Sequence, residues 1–396
     1  MNQRIDDIEV LRGCAVLFVV VHHASANLIT WTTPALTRFY SYFGGWVGVD
    51  LFFAVSGFVI ARQLVPQLQG AQNSAAALRL SLAFWLRRAW RLLPSAWLWL
   101  LVMLLATLAF NRSGVFGSVK ANVEATMAAV LQVANVRFAE TFMQREYGSS
   151  FVYWSLALEE QFYLLFPLLI VLSRRWLPYA LLGLVAFQLF SVRTPLAMVF
   201  RTDALALGVL IALWSTRPSY RVFQPLFLAR RGLGSVVLLG LLLCLGTLGA
   251  EPLQIVSIRV GLIALLSAAL VWIASYNQNL FCPEGSCKRL LIWLGVRSYA
   301  IYLIHIPAFY FTREFYFRLA PEQGPLGPAW MVPLVSTAAL LILLLSELNY
   351  RLLESPLREH GKRIVRRLFV DTPAEPVVRA EPAPSSRLSS PPTSPG

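Results

Sequence analysis

The run IEVLRGCAVLFVVVHHASANL, Ile8–Leu28, decides how the rest of the chain is read. It is apolar for long enough to cross a bilayer, whose hydrocarbon core takes about 20 residues of helix. Arg12 and His23 interrupt it, and ionisable groups inside such a run are costly in lipid, so each reads as functional. Eleven residues at 100° per residue leave the two only ~20° apart around a helix and ~16 Å apart along it. One face therefore carries a cation near one membrane surface and an imidazole toward the other. His22 lies ~100° round from His23 and reads as structural.

The chain of 396 residues is 57% hydrophobic and 14% charged, with a mean hydropathy of +0.61. A water-soluble domain this apolar exposes large sticky patches, so composition points to a polytopic membrane protein. Four scattered cysteines give no disulfide framework, and no metal site is expected. Ala24-Ser25-Ala26 resembles a signal-cleavage site, but Asp6, Asp7 and Glu9 make the leader unlike a basic n-region, so the first span is expected to remain uncleaved.

Ten runs are long enough to span: about 8–29, 46–65, 92–110, 152–172, 177–192, 195–214, 233–249, 254–275, 291–311 and 329–347. The run Val123–Val133 is too short and reads as an interfacial or re-entrant piece of the 111–151 loop. With the N-terminus inside, inner segments hold 21 Lys+Arg and outer loops eight. The expected fold class is thus an all-α polytopic bundle of about ten helices with both termini cytoplasmic. The net charge of +14 then needs no nucleic-acid partner. Residues 1–370 form one membrane domain, and the Pro/Ser-rich stretch 371–396 is expected to be a disordered cytoplasmic tail. There is no internal repeat of the kind that marks many transporters.

A rise of 1.5 Å per residue puts His23 at ~22 Å and His305 at ~21 Å from the inner end of their spans. Glu159 and Glu160 fall ~10–12 Å below the outer end of theirs, with Asp203 at similar depth and Asp50 shallower. Five helices thereby place titratable groups in one layer. Ser298, Tyr302 and His305 share a helix face. At the inner mouth, Arg87, Arg88 and Arg91 join Arg12 in a cationic cluster suited to phosphates. Blander readings exist: the arginines fit positive-inside anchoring or lipid-phosphate contacts, the glutamates fit pairing with Arg201 or Arg259, and His305 fits interhelical hydrogen bonding. Trp154 and its aromatic neighbours read first as an interface belt and second as sugar-stacking groups.

Several motifs resemble those of acyltransferase family 3, the integral-membrane O-acyltransferases. They are Leu11-Arg12-Gly13 with His23; Gly48-Val49-Asp50-Leu51-Phe52-Phe53-Ala54-Val55-Ser56-Gly57-Phe58; and Arg87-Arg88-Ala89-Trp90-Arg91. The set continues with Tyr153-Trp154-Ser155-Leu156-Ala157-Leu158-Glu159-Glu160-Gln161-Phe162-Tyr163 and Arg201-Thr202-Asp203-Ala204-Leu205-Ala206-Leu207-Gly208. It ends with Ser298-Tyr299-Ala300-Ile301-Tyr302-Leu303-Ile304-His305 and Glu354-Ser355-Pro356. The set runs in order over about residues 5–360. The resemblance implies a ten-helix bacterial inner-membrane protein that moves an acyl group, often acetyl, from cytoplasmic acyl-CoA to a sugar hydroxyl. Acceptors in the family include lipopolysaccharide and other cell-surface glycans or glycolipids. His23 matches the family's catalytic histidine, Arg12 its paired arginine, and Arg87, Arg88 and Arg91 its Arg-Arg-x-x-Arg motif. Some relatives carry a fused SGNH domain; only a short tail follows the last span here, so action alone or with a separate periplasmic acyl-handling partner is expected.

The expected mechanism holds acetyl-CoA, or another acyl-CoA, on Arg12, Arg87, Arg88 and Arg91. His23, oriented by an acidic neighbour among Glu159, Glu160 and Asp50, is the general base. Ser155, Tyr302 and His305 are candidates to stabilise the oxyanion. Trp154, Ser155, Arg201, Asp203 and Tyr302 are the expected acceptor-side contacts. An acyl-histidine variant stays open, as do a proton-coupled transporter using His23, the glutamates and His305 as a relay, and a flippase or sensor in a polysaccharide system.

Overall fold

The computed structural model describes residues 4–230, 232–255, 258–320 and 326–369. The expected tail from residue 371 lies outside the described residues. Among them the chain is all-helical, with one isolated bridge between Ser25 and Ile29.

The first helices are α1 (Asp6–Asn27), α2 (Pro34–Tyr42), α3 (Gly48–Gln69) and α4 (Ser74–Ala109). Short α5 (Val119–Val130) and α6 (Ala134–Thr141) follow, then α7 (Tyr153–Ser173), α8 (Leu177–Phe190), α9 (Pro195–Val199), α10 (Asp203–Trp214) and α11 (Pro218–Val222). Next come α12 (Leu233–Leu248), α13 (Arg259–Ala274), α14 (Ser286–Val296), α15 (Ser298–Leu319) and α16 (Met331–Asn349). A π-helical turn, Tyr350–Glu354, leads into α17 (Ser355–Phe369). Local chemistry fixes several starts. Thr33, Asn73, Ser118 and Thr194 each accept a bond from the backbone N–H three residues on, satisfying donors that a helix cannot pair internally.

The expected apolar runs are largely helical where described, with 195–214 interrupted at residues 200–202 between α9 and α10. Among the described residues, six helical stretches are long and apolar enough to cross a membrane, or seven when α14 and α15 count as one bent span. The expected single span 291–311 is in fact broken at Arg297, where α14 meets α15 with a bend of 77°. The pattern of apolar residues continues through the break, so hydropathy alone does not register it. Residues 152–192 hold α7 and α8 joined by a 3-10 turn at Arg174–Trp176. The helices α12 and α13 have 16 residues each, and Val123–Val133 falls largely on the short α5.

The helices α3 and α10 cross at close range. A methyl group added at Gly57 would lie 2.1 Å from the Leu205 carbonyl oxygen, and one at Gly208 would lie 2.1 Å from that of Ala54. Within lipid, association relies on such close backbone approach, because burial from water supplies little drive. This crossing carries Asp50 on α3 and Asp203 on α10 into a shared buried region. The first helix packs beside α3, α14 and α15, which sets Arg12 and His23 against residues of the last third of the chain.

Candidate active site

A cavity of about 480 Å³ opens at the bundle end that holds the start of α1. Its mouth is lined by Arg4, Glu9 and Arg12 of the N-terminal segment, Arg88 and Arg91 of α4, and Arg358 and Lys362 of α17. Its far end is lined by Val49, Phe52, Ser155 and Tyr302. Six cations thus face two carboxylates, Glu9 and Glu159, in one lining. Arg12 contacts Glu9 at 3.3 Å, and Arg88 lies over the rings of Tyr163 at 4.8 Å and Phe84 at 5.7 Å. The Nε atoms of Arg91 and Arg358 are buried without a hydrogen-bond partner. Buried donors are ordinarily paired, so these two guanidinium groups keep unused donor capacity even though the buried Glu354 carboxylate stands near them.

Arg87, expected with its neighbours, does not line the cavity. On the helix Arg91 lies between the two, ~40° from Arg87 and ~60° from Arg88, and the cavity opens on the Arg88 side.

At the other end, His23 Nδ1 and His305 Nε2 are 2.9 Å apart, with ring planes within 17°. His305 is fully buried, and its Nδ1 lies 2.8 Å from the carbonyl oxygen of Tyr302. A carbonyl only accepts, so in the neutral ring Nδ1 carries the proton and Nε2 presents a lone pair. His23 Nδ1 must then be the donor. That leaves His23 Nε2 as the unprotonated ring nitrogen not engaged within the pair, with its tautomer set by its neighbour.

The chain leaves regular helix just past His23. Ser25 and Ala26 leave helical geometry, Ala26 with φ +66°. The Asn27 amide donates to the His23 carbonyl at 2.9 Å, Tyr310 OH donates to Asn27 Oδ1 at 2.9 Å, and Arg313 donates to the Asn27 carbonyl at 3.2 Å. Side chains thus replace the helical donors lost at the break. Phe151 meets the His23 ring edge-on at 5.3 Å.

Tyr302 connects the two regions. Its ring lines the far end of the cavity while its carbonyl holds His305. Its hydroxyl lies 2.6 Å from Ser155 Oγ and donates to the Val152 carbonyl at 3.0 Å. Of the expected helix-face stripe, Ser298 and Tyr302 line the cavity and His305 stands one turn beyond.

The expectation that an acid orients His23 is corrected: its partner is His305. Asp50 instead forms a two-point pair with Arg201, at 2.8 and 3.0 Å, with both side chains buried. Asp203 pairs with Arg193 at 2.7 Å. Glu159 lies in the cavity wall and accepts from the hydroxyls of Ser56 and Tyr163. Glu160 lines a separate small void with Tyr153 and Tyr299. The layer of acids inferred from depth is therefore several local pairs. Arg201 also stacks against Trp154 at 4.8 Å and Trp46 at 5.3 Å. Arg201, Asp203 and Trp154 stand together as a packed cluster that does not line the 480 Å³ cavity. Sequence reasoning missed Ser56, Tyr163 and Lys362 as lining groups. It met Arg358 and Lys362 only as positive-inside charges, although their i, i+4 spacing on a helix with apolar Val365 marks a two-sided element.

Comparison with known proteins fits this arrangement. The model of a family described as an acyltransferase domain matches residues 5–347. The O-acetyltransferase OatA of Staphylococcus aureus strain NCTC 8325 is 28% identical over 386 aligned positions, covering 89% of this chain and 57% of that protein. OatA of strain COL gives the same values. The chain thus spans little more than half the length of these curated relatives. No solved structure matches.

Proposed function

The chain belongs to this acyltransferase family, and from that premise we propose that it moves an acyl group, acetyl in the simplest case, from acyl-CoA to a hydroxyl of an exported glycan or glycolipid. The observation that carries the reading is the pairing of a phosphate-suited cavity mouth with a histidine pair, linked through Tyr302. The proposed topology has ten membrane passages with both termini in the cytoplasm of a bacterial cell, which puts the arginine-lined mouth on the cytoplasmic side.

Acyl-CoA fits the cavity in its charges. Its pyrophosphate lies on Arg12, Arg88 and Arg91, where guanidinium groups grip phosphate oxygens in pairs. The pantetheine arm follows the wall of Val49, Phe52 and Val59, and the thioester reaches Ser155 and Tyr302. The acceptor hydroxyl approaches from the opposite side, at the break in α1.

His23 Nε2 removes the hydroxyl proton as the oxygen attacks the thioester carbonyl, and the resulting imidazolium donates Nδ1–H to His305. The carbonyl π electrons move to oxygen; on collapse the C–S bond breaks, and the CoA thiolate leaves and takes the proton held on His23 Nε2, which restores the neutral imidazole. Ser155 and Tyr302 hydroxyls, both now directed near the Val152 carbonyl, become oxyanion donors by rotating one O–H into the cavity. A separate acyl-handling partner on the acceptor side is compatible with this scheme.

The test is His23→Ala in membranes supplied with radiolabelled acetyl-CoA. Label transfer to membrane glycans should fall about 10²–10⁴-fold, the usual cost of losing a general base. Wild-type transfer at normal protein level would remove the base assignment.

A further inference from the structure

The helix α17 lies beyond the residues matched by the family model, yet it builds one wall of the cavity mouth. We propose that Arg358 and Lys362 form the subsite for the ribose 3′-phosphate of the acyl-CoA donor. The assignment rests on the acyl-CoA reading above and adds which groups distinguish that donor from its dephosphorylated form.

Three features place these residues there. They are four apart, so they stand on one helix face, and both line the cavity. Side-chain exposure rises from 18% at Arg12 through 32% at Arg358 to 56% at Lys362, which orders the cations from deep to shallow. Along CoA, the 3′-phosphate is farther from the thioester than the pyrophosphate. With the thioester at Tyr302, the deep cations meet the pyrophosphate and the shallow ones meet the ribose phosphate. Finally, the buried Arg358 Nε has no hydrogen-bond partner, so it offers a donor that a phosphate oxygen completes.

The helix is held in place for this role. A methyl group at Gly361 would lie 2.5 Å from the Trp90 side chain, so α17 meets α4 at close range. The His360 ring packs edge-on against Trp90 at 4.9 Å between centroids. The π turn at Tyr350–Glu354 precedes it, and such turns concentrate at functional sites. Buried Glu354 stands among Arg91, Arg12, Arg358 and Arg297, which orders the guanidinium groups. Glu359 contacts Lys362 at 2.7 Å and Arg358 at 3.9 Å, and a phosphate arriving there replaces it. The outward face, with Arg363 and Arg367 exposed, suits anionic lipid headgroups. Arg358 and Lys362 face the cavity instead.

Displacement of radiolabelled acetyl-CoA from the purified full-length chain in nanodiscs decides the matter, using unlabelled acetyl-CoA and 3′-dephospho-acetyl-CoA as competitors. The wild type should prefer acetyl-CoA by about tenfold, a value set by charge-assisted bonds discounted for solvent exposure. Lys362→Gln should shrink that preference. Arg358→Gln with Lys362→Gln should abolish it by weakening acetyl-CoA alone, with binding of the dephospho analogue unchanged. Lys362 is exposed, so the single variant keeps the test sound should the double variant not fold. Equal wild-type affinity for the two competitors, a preference that survives the double substitution, or equal weakening of both ligands overturns the subsite while leaving acyl-CoA as donor. A wild type that binds neither competitor removes the donor reading and the subsite with it.

Discussion

Replacing His305 by alanine isolates the contribution of the histidine pair. The substitution removes the acceptor 2.9 Å from His23 Nδ1 and leaves Tyr302 lining the cavity. Without that acceptor, the proton on His23 is no longer fixed to Nδ1, and the imidazolium formed during transfer loses its partner. A hydrogen bond to a charged group contributes about 1.5–3 kcal/mol. At 1.36 kcal/mol per tenfold, turnover should fall about 10- to 150-fold. This is less than the loss expected for His23→Ala, because the proposed base itself remains. The apparent KM for acetyl-CoA should stay within about twofold, since His305 is not a lining residue and the lost interaction belongs to the transition state.

The measurement is initial-rate transfer of label from acetyl-CoA in membranes of matched protein content, with thermal stability of the purified variant as a folding control. His305→Gln, whose side-chain oxygen can accept from Nδ1–H, should recover part of the rate. The double variant His23→Ala/His305→Ala should be no slower than His23→Ala alone, because groups acting as a unit are not additive. Full activity of His305→Ala, or losses that multiply in the double variant, would refute the orienting role.

Asp50→Ala should strand the Arg201 guanidinium in a buried site and cost about 3–5 kcal/mol, read as a large drop in melting temperature in detergent. Asp50→Leu combined with Arg201→Met should restore most of it; an unchanged melting temperature in the single variant would show that the pair does not hold the bundle. Gly57→Val should force α3 from α10 and cost about 1–3 kcal/mol or more, measured in the same way, whereas Gly183→Ala, with nothing within 4 Å, should leave the melt unchanged.

Composition and the length of apolar runs made the helical class legible, because lipid admits few alternatives to a helix with internally paired backbone. The Arg12–His23 spacing and the Ser298–Tyr302–His305 stripe were legible too, since both depend only on geometry within one helix. What was not legible depends on which helices meet. Depth places Asp50, Asp203 and Glu159 in a common layer. Only packing reveals that Arg201 and Arg193 take the two aspartates, while Ser56 and Tyr163 take the glutamate. The bend at Arg297 and the docking of α17 on Trp90 are likewise facts of contact, and the cations on α17 looked like ordinary cytoplasmic charge until that contact was known.

The same pairings bear on the choice between an enzyme and a proton-coupled carrier. A relay needs titratable groups that exchange protons in sequence across the slab, each free to change charge. Here Asp50 is fixed by two guanidinium contacts, Asp203 by one, and Glu314 near the far end by Ser113, Arg318 and the backbone N–H groups of Arg112 and Ser113. Carboxylates engaged this way are each tied to fixed local partners and are not linked to one another in a chain. Glu159 bonds hydroxyls alone, but it faces the cation-lined cavity rather than continuing from the histidine pair. The two imidazoles thus form a short, closed unit that ends on the Tyr302 carbonyl, an acceptor with no proton to give. Such a unit suits the proposed acid–base chemistry at a single bond better than it suits conduction across a membrane.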